Sequence, residues 1–216
     1  MALSQIQAQL QGIYELEMDH CITDYLITSR AGLDRCYQQA LKSSESLLVC
    51  QDKDVLRLSV YLEDRVLENL KTKGTGIDLH KGNINDFCLA LEGTSHFVYL
   101  VWNAMFERSV TRLEMELQAE IDKFIVLSGC IGNSGNCVIP GQLRQLLFES
   151  VKYHDALSDQ EVQRYRDANF YAEKYCWFLE SRNFLNGGLQ QGLLKELRRF
   201  YRLNQNDKIR RINCSY

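Results

Sequence analysis

Glu92, His96, Tyr99 and Asn103 recur every three or four residues inside an otherwise apolar stretch running from Ile84 to Phe106. In a helix advancing about 100° per residue, these four side chains fall within an arc of about 60°. Phe87, Ala90, Phe97, Val101 and Met105 take the opposite face, which is expected in a core. A histidine and a carboxylate one turn apart support three chemistries. His96 oriented by Glu92 has the form of a general base. The pair can also ligate a metal, with Glu116 and Glu120 of the following helix completing the set. Or the stripe is a structural polar network, with Tyr99 and Asn103 as members. Bundles that hold two metal ions use paired Glu-x-x-His segments, whereas this sequence has Glu-x-x-x-His once.

Other chemistries find less support. Thr94 and Ser95 adjoin His96 but project from other faces, and Cys88 lies two turns back. No GxSxG elbow is present, so nucleophilic catalysis is not expected. Lys71, Lys73, His80 and Lys81 surround two glycines without the GK[ST] ending of a phosphate-binding loop. Lys195, Arg198, Arg199 and Arg202 recur at helical spacing near the carboxyl end, followed by Lys208, Arg210 and Arg211. Such a face can contact nucleic acid, but the formal net charge of −3 argues against that partner.

The elements that must position these residues are mostly helical. Leu3, Ile6, Leu10 and Ile13 mark a short amphipathic helix over 3–17, and Ser29 can cap another over 33–41. Two apolar runs flank Gln51–Asp54, and Val55, Arg57, Ser59 and Tyr61 alternate with Leu56, Leu58, Val60 and Leu62. That pattern predicts a β-hairpin over about 47–62. A helix from Glu63 to Lys71 and a glycine- and lysine-bearing connector over 71–83 follow, with Asn83 placed to cap the central helix.

A turn near Glu107–Ser109 leads to a helix over 110–127. Its apolar arc is Val110, Leu113, Leu117, Ile121, Phe124 and Ile125. Arg112–Glu116 and Glu120–Lys123 are spaced as ion pairs on a solvated face, so Glu116 is expected at the surface while Glu120 stays a site candidate. The glycine-rich segment 129–141 reads as a loop, and a helix over 142–153 follows. Ser158 with Glu161 matches a capping box opening a helix to about Glu180. Tyr165, Phe170, Tyr171, Tyr175, Trp177 and Phe178 spread over more than one side of that helix, as if a second subunit covered part of it. A last helix is expected over 189–202.

The 216 residues, 45% hydrophobic and 25% charged, suffice for a sizeable core, and the single proline, Pro140, suits long helices. Eight cysteines are scattered without a CxxC or CxxH pair, so no structural zinc site is expected. Cys130 and Cys137, seven apart in the glycine-rich segment, are the candidate pair for a bridge under oxidation. The amino terminus lacks the apolar core of a signal peptide, and no apolar run reaches membrane-spanning length. The expectation is one mainly α, bundle-like domain over 1–216 with one inserted hairpin, in a reducing cytoplasm and away from membranes. Its expected role is that of an interaction or regulatory module with a protein partner, or one that self-associates. The first alternative is an enzyme with a His/carboxylate pocket between the 84–106 and 110–127 helices. It would use Glu92, His96, Tyr99, Asn103 and Glu120, with no cofactor beyond a metal on Glu92, His96 and Glu120. The second is weak nucleic-acid binding through Lys195, Arg198, Arg199 and Arg202.

Overall fold

The two apolar runs around Gln51–Asp54 fold as the expected hairpin. Strands β2 (Glu45–Asp52) and β3 (Val55–Leu62) pair antiparallel from Asp52 opposite Val55 to Glu45 opposite Leu62. Lys53, in the turn, takes the positive φ of 51° that suits the right-handed twist of a tight hairpin. A two-residue strand, β1 (Leu26–Ile27), adds in parallel to β3, giving the order β1-β3-β2. The computed structural model describes residues 2–32, 41, 43–53, 55–70, 82–133, 140–149, 151, 157–182 and 191–214. Residues 33–40 of the helix expected over 33–41, residues 71–81 of the connector, Cys137 and the side chain of Cys130 lie outside them.

Eight α-helices are described: α1 (Ala2–Tyr14), α2 (Asp64–Asn69), α3 (Ile84–Met105), α4 (Arg112–Asn133), α5 (Pro140–Phe148), α6 (Asp159–Ser181), α7 (Gln191–Tyr201) and α8 (Gln205–Asn213). The protein is mainly α with a small three-stranded sheet. No helix among the described residues is long and apolar enough to cross a membrane. The chain divides into two compact units. The first is Met1–Gln11 with Leu16–Phe106, and the second is Gly12–Glu15 with Glu107–Tyr216.

In the first unit, α3 packs on β2 and β3 and on α2. The alternation of β3 is plain at the hairpin tip, where Val55 and Arg57 are exposed, and is lost at its base, where Val60, Tyr61 and Leu62 are all buried. Both faces of the sheet are covered there, Val60 lying against α3 and Tyr61 against Leu41, Ile27 and Leu48. Asn83 stands at the start of α3, but its side chain makes no capping bond; its backbone carbonyl accepts from Phe87 N at 2.9 Å. Asp86 instead anchors that end, accepting from Asn69 at 2.7 Å and from Arg65 at 3.2 Å. Phe87, Ala90, Phe97 and Val101 are buried as expected, whereas Met105, in the last turn, is exposed.

The second unit is built from helices. α4 packs along α6, and α5 packs on both. The Ser158–Glu161 capping box forms in both directions, with Ser158 N donating to Glu161 Oε2 at 2.8 Å and Glu161 N donating to Ser158 Oγ at 3.4 Å. On α6, Tyr175 and Phe178 are core residues, and Tyr175 stacks on Phe200 of α7 with ring centroids 4.0 Å apart.

The packing of α6 on α4 corrects the reading of Glu116. It is buried rather than at the surface, and Arg164 of α6 lies 3.7 Å from its carboxylate. The segment after Leu203, which carries Lys208, Arg210 and Arg211 beyond the last expected helix, is itself the helix α8. Asn204 caps it by accepting from Asp207 N at 3.0 Å.

Candidate metal centre

Glu92 and His96 stand one turn apart on α3, as their spacing requires. The third member of the group is Glu45, the first residue of β2, which the sequence reading did not single out. Strand pairing places Glu45 opposite Leu62, on the same side of the sheet as Leu47 and Val60, and that is the side that meets α3. The approach is close because residue 93 is glycine. A Cβ there would lie 3.1 Å from Glu45 Cγ, 3.2 Å from Glu45 Oε1 and 3.4 Å from Val60 Cγ1. Gly93 thus leaves the space that the Glu45 carboxylate fills.

One ligand atom each from Glu45, Glu92 and His96 can be chosen so that all three lie within 4.8 Å of one another. His96 is 6% exposed and Glu45 7%, while Glu92 is half-buried and forms the wetter side of the group. His96 Nδ1 lies 3.5 Å from Glu45 Oε1. That is longer than a good N–H···O hydrogen bond, whose usual range ends near about 3.2 Å. It matches the edge of a tetrahedron with bonds of about 2.1 Å, roughly 3.4 Å. One imidazole nitrogen and two carboxylates form a donor set for a borderline divalent ion such as zinc, iron or manganese. The nitrogen disfavours calcium and magnesium, which take oxygen. As an acid–base pair the same residues would need a substrate to reach a ring that is almost wholly enclosed.

The other sequence candidates occupy different places. Tyr99 and Asn103 are buried on α3, and Asn103 donates to the Tyr99 backbone carbonyl at 2.8 Å, a bond within its own helix. Glu120 belongs to the second unit, and its carboxylate accepts from Lys123 at 2.9 Å, the expected i,i+3 pair. Arg198 and Arg202 brace the carboxyl end of α1. Arg198 Nε donates to the Ile13 carbonyl at 2.9 Å and Arg202 to the Glu15 carbonyl at 3.3 Å, where cations offset the helix dipole. Lys195 and Arg199 are exposed on α7.

Strand parity could have placed Glu45 on the apolar face of its strand, though not against α3. Glu45 lies two residues before Leu47 and so shares that residue's face. Compared with known proteins, the chain matches no family model, no curated protein and no solved structure.

Proposed function

We propose that the first unit binds one divalent transition-metal ion on Glu45, Glu92 and His96, and that the ion fastens β2 to α3. The convergence of a carboxylate from β2 with a carboxylate and an imidazole from α3, within 4.8 Å of one another, carries this reading. Three protein ligands would leave a four-coordinate ion one position for water or a small anion, on the side where Glu92 meets solvent. Binding a metal to the folded state alone stabilises that state in proportion to ligand excess over Kd.

Zinc titrated calorimetrically into chelator-treated protein should bind at one equivalent, and cobalt should give visible absorption bands of a nitrogen- and oxygen-ligated ion. His96→Ala should weaken zinc at least about 100-fold. Glu92→Gln, at a half-exposed position that does not threaten the fold, should weaken it at least about tenfold. A wild-type protein that takes up neither ion, or variants that bind as well as wild type, would refute the proposal.

A second reading, a self-associating interaction module, is favoured by Phe170 (54% exposed) and Trp177 (43% exposed), two turns apart on α6. Large apolar side chains left in water on one stripe mark contact surfaces more often than isolated ones do. Light scattering should then show mass rising with concentration, and Trp177→Glu should suppress the rise. A monomer at every concentration removes this reading.

A further inference from the structure

Lys208 is 0% exposed. Lysine is among the residues least often enclosed completely, and this one sits in the middle of α8, four residues before the equally buried Ile212. Its Nζ donates to Gln118 Oε1 at 2.7 Å. Gln118 Nε2 in turn donates to Asp122 Oδ1 at 2.9 Å and to Tyr14 Oη at 3.1 Å, and the Tyr14 hydroxyl makes a short bond to the same Asp122 oxygen. Aromatic rings close the other side. Nζ lies 5.1 Å from the centre of Phe200 and 5.8 Å from that of Tyr201, and Tyr201 stacks on Tyr14 at 4.1 Å.

The charged groups facing the amine are Glu114 and Asp122, both from α4, and Tyr14 and Tyr201 supply titratable hydroxyls from α1 and α7. α6 also packs on α8, but its Lys174 reaches Asn213 at the far end of that helix.

We propose that α8 is held in the second unit by a proton-sensitive latch. In this latch the amine of Lys208 seats fully between the Gln118–Asp122–Tyr14 chain and the two rings as the neutral base, and taking up a proton loosens the helix. Two opposed effects set the balance. Burial strips the ammonium of water, which disfavours the charged form, while Glu114 and Asp122 favour it. Burial is the larger effect, and it brings the amine down to about 7 from the ordinary 10.5. The open state therefore holds more protons than the closed state between those two values. Closure strengthens as pH rises through that window, and below about pH 7 it is weakest and constant. Above about pH 10 the Tyr14 phenol, which burial and Asp122 keep protonated, acts in the opposite sense.

The test uses the full chain with 13C-labelled lysine. One Cε resonance should titrate with a midpoint near 7 and disappear in Lys208→Met. Amide exchange over 205–214, corrected for intrinsic rates, should show opening that increases about tenfold per pH unit as pH falls from 9 toward 7 and then levels off. Lys208→Met keeps the length and apolar stem of the side chain without its charge, and should make that profile flat. If no lysine titrates below pH 9, the latch is overturned on wild-type protein alone. A lysine that titrates near 7 without any pH dependence of α8 opening overturns it as well.

Discussion

Asp122→Ala is expected to destabilise the second unit by about 2–6 kcal/mol, because two buried donors lose their shared acceptor. Asp122 is 1% exposed and accepts from both the Tyr14 hydroxyl and Gln118 Nε2. Alanine leaves both donors enclosed without their acceptor, and each abandoned polar group costs about 1–3 kcal/mol. It also removes one of the two acidic groups facing Lys208. Tyr14→Phe is milder, about 1–2 kcal/mol, because Asp122 keeps its bond from Gln118. The double variant should lose less than the sum of the singles, since both delete the same Tyr14–Asp122 bond. Amide exchange of α4 and urea unfolding of the chain report these losses. A loss below about 1 kcal/mol for Asp122→Ala would mean that the network carries little of the unit's stability.

The contrast between Asp122 and Glu92 shows which parts of this protein can be read from spacing. Contacts inside one element, or between neighbours in the chain, are legible. The hairpin registers on its alternating residues, Ser158 and Glu161 cap each other, Glu120 meets Lys123, and Glu92 and His96 share one face of α3. These rest on the helical and strand periods alone. Contacts between distant elements are not legible. Glu45 is 47 positions before Glu92, and nothing in the spacing says that β2 lies along the Gly93 side of α3.

Glu116 was misread for a related reason. Its i,i+4 neighbour Arg112 suggests a solvated face, and only the docking of α6 on α4 turns that face inward. The burial of Lys208 is not legible in its neighbours, because it stands among cations that together look like a basic surface. The local evidence for α8 was nevertheless present: Asn204 and Asp207 at capping distance, and Ile212 one turn beyond Lys208. Composition likewise shows no break near Phe106, where the first unit ends and the second resumes. A unit boundary inside a chain of even composition is set by which surfaces pack, and that is a tertiary property.

Gly93→Leu is expected to destabilise the first unit by about 3 kcal/mol and to abolish the proposed metal binding. Glycine inside a helix normally weakens it, and alanine there would add about 1 kcal/mol of helix propensity. Position 93 pays for its missing side chain through packing, since it lets the base of the hairpin lie against α3. A leucine would drive four carbons into the volume of the buried Glu45 and Val60 side chains, far more than a few tenths of an ångström of movement can absorb.

Gly93→Ala separates the two consequences. Its Cβ would press on Glu45 Cγ at 3.1 Å and Oε1 at 3.2 Å, contacts that a few tenths of an ångström of side-chain movement relieve. The propensity gain and the crowding then nearly cancel, so stability changes by less than about 1 kcal/mol. The movement falls on Glu45, the one proposed ligand that comes from the sheet, so under the proposed zinc site affinity should drop about tenfold while the fold persists. Calorimetric zinc titration and urea unfolding of the two variants decide the matter. If Gly93→Ala binds zinc as tightly as wild type, Glu45 is not a ligand. If Gly93→Leu is as stable as wild type, the sheet does not rest on α3 at this point.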